Sequence, residues 1–284
     1  MKKILLSLLA ILTVAGGAYY ATNAFFSDNE TSTGNVLGAG SIDLKVGNDS
    51  YYNGVLQDGS DDTVDTSWSL KNIDNEVFFN FTDLKPGDWG EDTIELKVLN
   101  NDSWACARLQ LTKNDENTRI DPETDAGDDS DDGGDPYDGE LAQNLYFIWW
   151  PDDGDNVLET DEEPLADLRG YLPDLLAFNG DDPWEVDLTL ADAQWNFFTK
   201  TTDTPLVGEQ PYYIGKAWCF GDITLLPVTE GQGVDPTVDS GIRCDGTNVD
   251  NMSQTDLVEG VLEFTAVQYR NNEGFLCPEH EPQP

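Results

Sequence analysis

The chain has 284 residues, of which 56 are acidic and 14 basic, and its formal net charge at pH 7 is −42. Nucleic acid and anionic lipid are bound through basic side chains that neutralise phosphate, so this charge argues against both as partners. Hydrophobic residues nevertheless make up 38% of the sequence and aromatic residues 11%. That is enough for a packed core and argues against disorder of the whole chain.

The start of the chain, residues 1–15, has the features of a signal peptide. Lys2 and Lys3 precede an apolar run from Ile4 to Leu12, which is the order of the charged and hydrophobic regions in a secretory leader. The run is shorter than the ~20 apolar residues that cross a bilayer. No hydrophobic tail or sorting motif follows Cys277. We therefore expect a mature chain without a transmembrane span that is secreted or held at the cell surface.

The mature chain is predicted to be a single β domain over residues 41–277. Runs of alternating or continuous apolar residues predict strands at Ile42–Val46, within Trp68–Phe81 around Val77 to Phe79, and at Thr93–Val98, Ala105–Leu111, Leu145–Trp150, Tyr212–Phe220, Ile223–Val228 and Val258–Tyr269. Lys85–Asp88 is predicted to be a turn, because Pro86 presets φ and Gly87 supplies a positive φ. The two strands after this turn are expected to form a meander with one face in the core.

Several stretches between the strands are rich in acidic residues and glycine. Residues 48–66 are predicted to be a loop, and residues 114–140 are predicted to be a mobile surface loop that is too polar to pack. A second acidic insertion covers residues 151–200. Within it we expect short helical turns over Leu165–Phe178 and a short helix over Thr189–Phe198, with Thr189 as N-cap.

The fold class follows from the number and spacing of these elements. Many short strands, long hairpin loops and no βαβ rhythm predict an all-β fold. The expected architecture is a two-sheet antiparallel sandwich of jelly-roll type, with long acidic loop insertions and a few short helical turns. Residues 278–284 are expected to be a disordered tail.

Four cysteines are an even number in a chain with a predicted leader, which favours two disulfides over free thiols. None of them lies in a CxxC pair, so a zinc ribbon or thioredoxin-like site has little support. Four cysteines allow three pairings. We prefer Cys219–Cys244, which closes a polar loop, together with Cys106–Cys277, which links an early strand to the tail.

The strongest candidate for a metal site in the sequence is an acidic loop with one glycine, residues 151–163. Hard cations such as Ca²⁺ take six to eight oxygen ligands, and a glycine lets a short acidic loop wrap around one ion. The candidate calcium ligands are Asp153, Asp155, Asn156, the backbone carbonyl of Val157, and Glu159. The spacing does not match an EF-hand, and the alternative is a solvated turn. The loop over residues 244–251 is a weaker candidate.

Enzymatic activity is not expected. A catalytic zinc site typically needs three protein ligands, commonly histidines, and the only histidine of the chain is His280, in the tail. A Ser–His–Asp triad would have to recruit the same residue. Paired carboxylates can hydrolyse a glycoside, but no particular pair is singled out among 56 acidic residues.

Three stretches at the two ends of the chain match one known pattern. The first contains Gly16-Gly17 followed by small and aromatic residues, then Phe26-Ser27-Asp28 and Ala39–Leu44. The second is Phe81–Asp88 with its LKPGD turn, followed by Thr93–Asn101. The third and weaker match is Leu262–Tyr269. Together they resemble the TasA/camelysin family, whose leaders are cut by a dedicated SipW-type signal peptidase. The resemblance implies a cut after Ala24, with Thr22 and Ala24 as the small residues before the bond and Phe25 as the new N-terminus.

The resemblance implies a secreted structural protein, a subunit of an extracellular fibre or biofilm matrix. In this reading the N-terminal segment, residues 25–40, pairs with the sheet of the next subunit, and the partners are other copies of the chain and other matrix or cell-surface components. Phe25 and Phe26 are the expected anchors, because strand addition satisfies an exposed sheet edge through main-chain hydrogen bonds while side chains fill pockets. The alternative is that this segment folds back on its own domain or has no fixed place.

A second function of a different class is a monomeric cell-surface binding module for glycan or protein. The chain has eight tryptophans, and exposed, coplanar Trp184 and Trp195 would favour such a ligand platform. Most of the other tryptophans lie in predicted strands, where packing in the core is the expected use.

Overall fold

The computed structural model describes residues 42–60, 63–74, 76–130, 135–176, 184–231 and 235–278. The signal peptide, the cleavage site at Ala24 and Phe25, the anchors Phe25 and Phe26, and the tail after Pro278 lie outside the described residues. The structure is mostly β, with 43% strand and 7% helix.

The described strands are β1 (Asp43–Tyr52), β2 (Val55–Leu56), β3 (Trp68–Lys71), β4 (Trp89–Leu99), β5 (Ser103–Asp115), β6 (Leu145–Asp152), β7 (Arg169–Tyr171), β8 (Trp184–Ala191), β9 (Pro211–Phe220), β10 (Asp222–Leu225), β11 (Ile242–Asp245) and β12 (Leu257–Gln268). The helices are short: α1 (Asp121–Ala126), α2 (Leu141–Asn144), α3 (Leu172–Leu175) and a 3-10 helix at Ala166–Leu168. The short helical turns predicted within residues 165–178 are therefore confirmed over the described residues 165–176, and β7 lies between them.

Two sheets dominate the architecture. The larger has seven strands in the order β2-β1-β4-β9-β6-β7, with β3 also paired to β1, and the smaller has three in the order β12-β5-β8. Strands β10 and β11 form a separate hairpin. All pairs of named strands are antiparallel. The predicted all-β antiparallel sandwich is confirmed.

The main core lies between the two sheets. Its buried residues from the larger sheet include Val46, Ile94, Leu96, Phe147, Trp149, Ile214 and Trp218, and those from the smaller sheet include Ala105, Ala107, Leu109, Leu111 and Leu188. A second cluster contains Ile148, Trp150, Leu158, Ala217 and Ile242. Because β6 and β9 contribute alternate residues to both clusters, they are buried on both faces. This explains why β6 reads as an unbroken apolar run.

The predicted meander is wrong, because β4 and β5 belong to different sheets. β4 pairs with β1 and β9, whereas β5 pairs with β12 and β8. The chain crosses between the sheets at the polar connection after Leu99, where Asn100 has a φ of +76°. Apolar alternation shows which side of a strand is buried, but not which strand is its neighbour.

The loop predicted for residues 48–66 begins too early. β1 continues to Tyr52 and forms a hairpin with β2. Asn48 in this strand is buried, and its Nδ2 donates to the Thr66 carbonyl at 2.8 Å and to Asp92 Oδ1 at 3.2 Å. The strand predicted around Val77 to Phe79 is wrong, because residues 76–81 form no strand.

The helix predicted over residues 189–198 is also wrong. Thr189 lies in β8, and the chain then turns sharply. Asp192 Oδ1 accepts the N–H groups of Gln194 and Trp195 at 2.7 and 2.8 Å, and Asn196 Oδ1 accepts that of Phe198 at 2.9 Å. Such local side-chain hydrogen bonds give the backbone an alternative to the helix.

The acidic stretch over residues 114–140 packs against the domain where it is described, contrary to the mobile surface loop that we predicted. It contains α1, and Asn114, Glu116 and Glu123 are fully buried.

The turn predicted at Lys85–Asp88 is confirmed, since the N–H of Asp88 donates to the carbonyl of Lys85 at 2.8 Å and Gly87 has a φ of +94°.

Both predicted disulfides are present. Cys106 of β5 is bonded to Cys277, 171 residues later, and Cys219 of β9 to Cys244 of β11, 25 residues later. The first bridge fixes the end of the described chain to the centre of the smaller sheet. The second fixes the β10–β11 hairpin to the larger sheet.

Two glycines in the larger sheet make room for tryptophans on neighbouring strands. Gly90 lies opposite Trp218 and Gly215 opposite Trp150, and a Cβ at either glycine would overlap the indole ring. We expect Gly215→Ala to lower the free energy of unfolding by about 1–3 kcal/mol, the usual cost of overpacking a core. Urea denaturation measures this. The control is Gly274→Ala, where a Cβ meets nothing within 4 Å; an equal loss in both variants would contradict the explanation.

Candidate functional site

β12 is a long edge strand of the smaller sheet. It has 12 residues, and one of its edges pairs with β5 along its whole length. Within the described residues no strand pairs with its other edge. An unpaired edge presents a row of backbone N–H and C=O groups, which can bind a further strand.

An apolar cavity of about 660 Å³ lies beside this strand, between the two sheets. Its lining includes Leu109 and Leu111 of β5, Val258, Gly260 and Leu262 of β12, Phe147 and Trp149 of β6, Lys216, Trp218 and Phe220 of β9, and Phe79, Phe81 and Leu84 from the connection between β3 and β4. The sheets are unequal, with seven strands facing three. A strand added to β12 would extend the smaller sheet and direct alternate side chains toward the larger one.

The predicted calcium loop follows β6 directly. The side chains of Asp153, Glu159 and Glu162 each bring one carboxylate oxygen to within 4.8 Å of the others. Asp153 is exposed and Glu159 is buried, so this cluster opens to solvent on one side.

The structure brings two of the five predicted ligands, Asp153 and Glu159, into one carboxylate cluster. Asp155 Oδ1 accepts the N–H of Val157 at 3.0 Å and so closes a turn within the loop, and Asn156 is 3% exposed. Asp155 is not in the carboxylate cluster that contains Asp153 and Glu159. The calcium ligand set therefore stays a prediction, and the geometry supports Asp153 and Glu159 as its members.

Sequence reasoning missed Glu162. Its Oε1 accepts the N–H of Asp153 at 2.8 Å and its Oε2 that of Glu159 at 3.1 Å, so it holds the two ends of the loop together. The sequence feature that could have indicated Glu162 is the acidic run over residues 161–163. This run contacts the backbone of Asp153 because the chain turns back on itself.

Burial dominates the electrostatics of this loop. It raises the pKa of Asp152 to about 6 and that of Glu162 to about 8. Burial, followed by the charge of Asp153, raises the pKa of Asp155 to about 6. The Asp152 carboxylate accepts hydrogen bonds from Trp150 Nε1 at 3.2 Å and from the Gly154 N–H at 3.1 Å. A cation at the loop would favour the ionised forms that burial disfavours.

The two weaker sequence candidates have simpler structural roles. In the loop over residues 244–251, Asp245 Oδ1 accepts the N–H and the hydroxyl of Thr247, and these bonds lower the pKa of Asp245. Trp195 is half-buried beside the turn at Asp192, and the backbone of Trp184 begins β8.

No protein-family model matches this chain, and a search of curated proteins finds no match either. The resemblance to the TasA/camelysin family thus depends on the sequence motifs alone. In the part of the chain that the structure describes, no helix is long and apolar enough to cross a membrane.

Proposed function

We propose that this protein is a secreted structural subunit of an extracellular fibre or biofilm-type matrix. Each subunit adds its N-terminal segment, residues 25–40, to the free edge of β12 in the next subunit. The observation that carries this proposal is the combination of a 12-residue edge with which no described strand pairs and an apolar cavity beside it. The two disulfides support export, because such bonds persist in oxidising compartments.

Strand addition of this kind is directional. The donor segment and the acceptor edge are different parts of one chain, so the contact is head-to-tail and does not close on itself, which produces filaments. The large excess of acidic over basic residues opposes the approach of neighbouring subunits. Calcium, bound at the Asp153 loop or held near the acidic surface, would reduce this repulsion, and other matrix or cell-surface components are further partners.

The donor segment has a built-in asymmetry. Successive side chains of a strand point to opposite faces, so Phe25 and Phe26 cannot both enter the space between the sheets. Of the two, only one is expected to reach the cavity. The other would lie on the outer face of the smaller sheet, where Val261 is 50% exposed.

We expect the mature chain beginning at Phe25 to form filaments and a version beginning at Ala39 to stay monomeric, because the second lacks the donor segment. Electron microscopy and sedimentation, with and without millimolar calcium, measure this. A peptide of residues 25–40 should bind the shortened version at one copy per chain without producing filaments, whereas the same peptide with Phe25→Ser and Phe26→Ser should not bind.

Filaments formed by the version beginning at Ala39 would contradict strand addition by this segment. If the chain beginning at Phe25 is monomeric in every condition, assembly is excluded and the cell-surface binding module becomes the function to test. In that case, binding of glycans or surface proteins would be assayed.

A further inference from the structure

A second acidic cluster lies at one end of the smaller sheet, far in sequence from the Asp153 loop. Its five carboxylates come from four segments of the chain. Glu116 follows the last residue of β5, Glu123 lies in α1 and Asp128 just after it, Glu140 precedes α2, and Asp256 precedes β12. The fold therefore brings the acidic insertion over residues 114–140 against the start of the free edge strand.

The carboxylates meet in two overlapping groups. One oxygen each from Glu116, Glu123 and Asp256 lie within 4.8 Å of one another, and the same holds for Glu116, Asp128 and Glu140. Glu116 belongs to both groups and is thus the centre of the cluster. The side chains of Glu116 and Glu123 are 0% exposed, and that of Asp128 is 4% exposed.

Three of the outer carboxylates use one oxygen to bind the protein and leave the other free. Asp256 Oδ2 accepts the N–H groups of Glu140 and Leu141 at 2.6 and 2.9 Å, and Asp128 Oδ1 accepts that of Ser130 at 2.8 Å. Glu140 Oε1 accepts the Ser130 hydroxyl at 3.0 Å. The second oxygens of Asp128, Glu140 and Asp256 are buried and have no hydrogen-bond partner. Anchoring of this kind orients metal ligands in protein sites.

Glu116 is the decisive residue, because both of its carboxylate oxygens are buried without a hydrogen-bond partner. An unpaired buried carboxylate is costly. Burial, followed by the charges of Asp256, Asp128, Glu123 and Glu140, raises the pKa of Glu116 to about 8. Among the described residues, no ion pair involves any member of the cluster. A bound cation would supply the missing counterpart.

We propose that this cluster is a calcium site with Glu116 as its central ligand. It presents five free carboxylate oxygens: two from Glu116 and one each from Asp128, Glu140 and Asp256. Calcium takes six to eight oxygen ligands in flexible geometry, and Glu123, a carbonyl or water completes that number. Magnesium is a poorer match, because it keeps most of its water and uses only one or two carboxylates.

Calcium at this site would fasten the acidic insertion to the sheet. It would join the end of β5, α1 and the residue before β12, segments that otherwise repel one another through their carboxylates. Calcium binding would then stabilise the packing of the described part of the insertion against the domain. This site does not depend on the proposed filament function, since all its ligands belong to one chain.

The test is calorimetry of the mature chain with and without calcium. We expect calcium to raise the unfolding temperature of the natural chain by several degrees and Glu116→Gln to abolish this increase. Without calcium, the Glu116→Gln variant should unfold at the same or a higher temperature than the natural chain, because it no longer buries an unpaired carboxylate. Titration calorimetry should show the loss of one calcium-binding step, with magnesium binding far more weakly.

Three further variants make the result specific. Asp128→Asn should also abolish the calcium response and serves if Glu116→Gln does not fold. Asp129→Asn changes an exposed neighbour and should leave the response intact. Asp153→Asn should leave unchanged the calcium-binding step that Glu116→Gln removes. The proposal is overturned if Glu116→Gln keeps the full calcium response, if a chelator does not change the natural chain, or if Asp153→Asn alone removes all calcium binding.

Discussion

Replacing Lys216 with methionine is expected to lower the free energy of unfolding by about 3–5 kcal/mol, the typical cost of breaking a buried ion pair by removing one partner. Lys216 and Asp92 are cross-strand neighbours on β9 and β4, and their Nζ and Oδ2 atoms lie 2.7 Å apart. The two side chains are only 1% and 2% exposed. Methionine keeps most of the volume, so the loss would come from the buried charge of Asp92.

The ammonium group of Lys216 is surrounded by aromatic rings. The ammonium lies 5.3 Å from the centre of the Phe79 ring and 5.9 Å from that of Trp149, both of which line the cavity between the sheets. These contacts favour the cation. Asp92 keeps a hydrogen bond from Asn48 Nδ2 at 3.2 Å, but its charge is left without a counterion.

Chemical denaturation of three variants separates charge from packing. Lys216→Met combined with Asp92→Asn should recover most of the stability, because replacing both charges of a buried pair is often close to neutral. Lys85→Met removes an exposed pair with Asp83 and should leave the denaturation midpoint unchanged. If Lys216→Met alone is as stable as the natural chain, Asp92 does not carry an uncompensated charge and the explanation is wrong.

The sequence predicts the strands better than their partners. β9 is recognisable because Tyr212–Phe220 is apolar and β-branched or aromatic at most positions. Nothing local shows that Lys216 points into the core or that Asp92 meets it there, since both depend on the pairing of β9 with β4. The same limit explains the incorrect meander: residues 93–98 and 105–111 have the same pattern but belong to different sheets.

The acidic residues show a second limit. The Asp153 loop is visible in the sequence because its carboxylates are contiguous, and the structure adds only Glu162 to them. The Glu116 cluster is invisible, because its members are spread over 140 residues and its largest part lies in a stretch whose composition is typical of disorder. Composition describes the average residue of a segment, whereas burial of Glu116 depends on four separate segments meeting.

Cys106→Ser with Cys277→Ser is expected to lower the free energy of unfolding by about 5 kcal/mol, on the loop-entropy model, because the bridge closes a loop of 171 residues. The bridge also positions the last described residues. The N–H of Cys277 donates to Asp192 Oδ2 at 3.1 Å, and the N–H of Ala193 donates to the Phe275 carbonyl at 3.0 Å. Without the bond, this end of the chain should separate from the smaller sheet.

The matched control is Cys219→Ser with Cys244→Ser, which opens a loop of only 25 residues and should cost about 3.5 kcal/mol in the same model. Denaturation under oxidising conditions measures both losses, and limited proteolysis shows where the chain opens. Cleavage near Phe275 in the first variant alone would locate the effect at the end of the chain. If the short bridge proves the more stabilising, loop length does not govern these disulfides, and the packing of the β10–β11 hairpin on β9 must be the larger contribution.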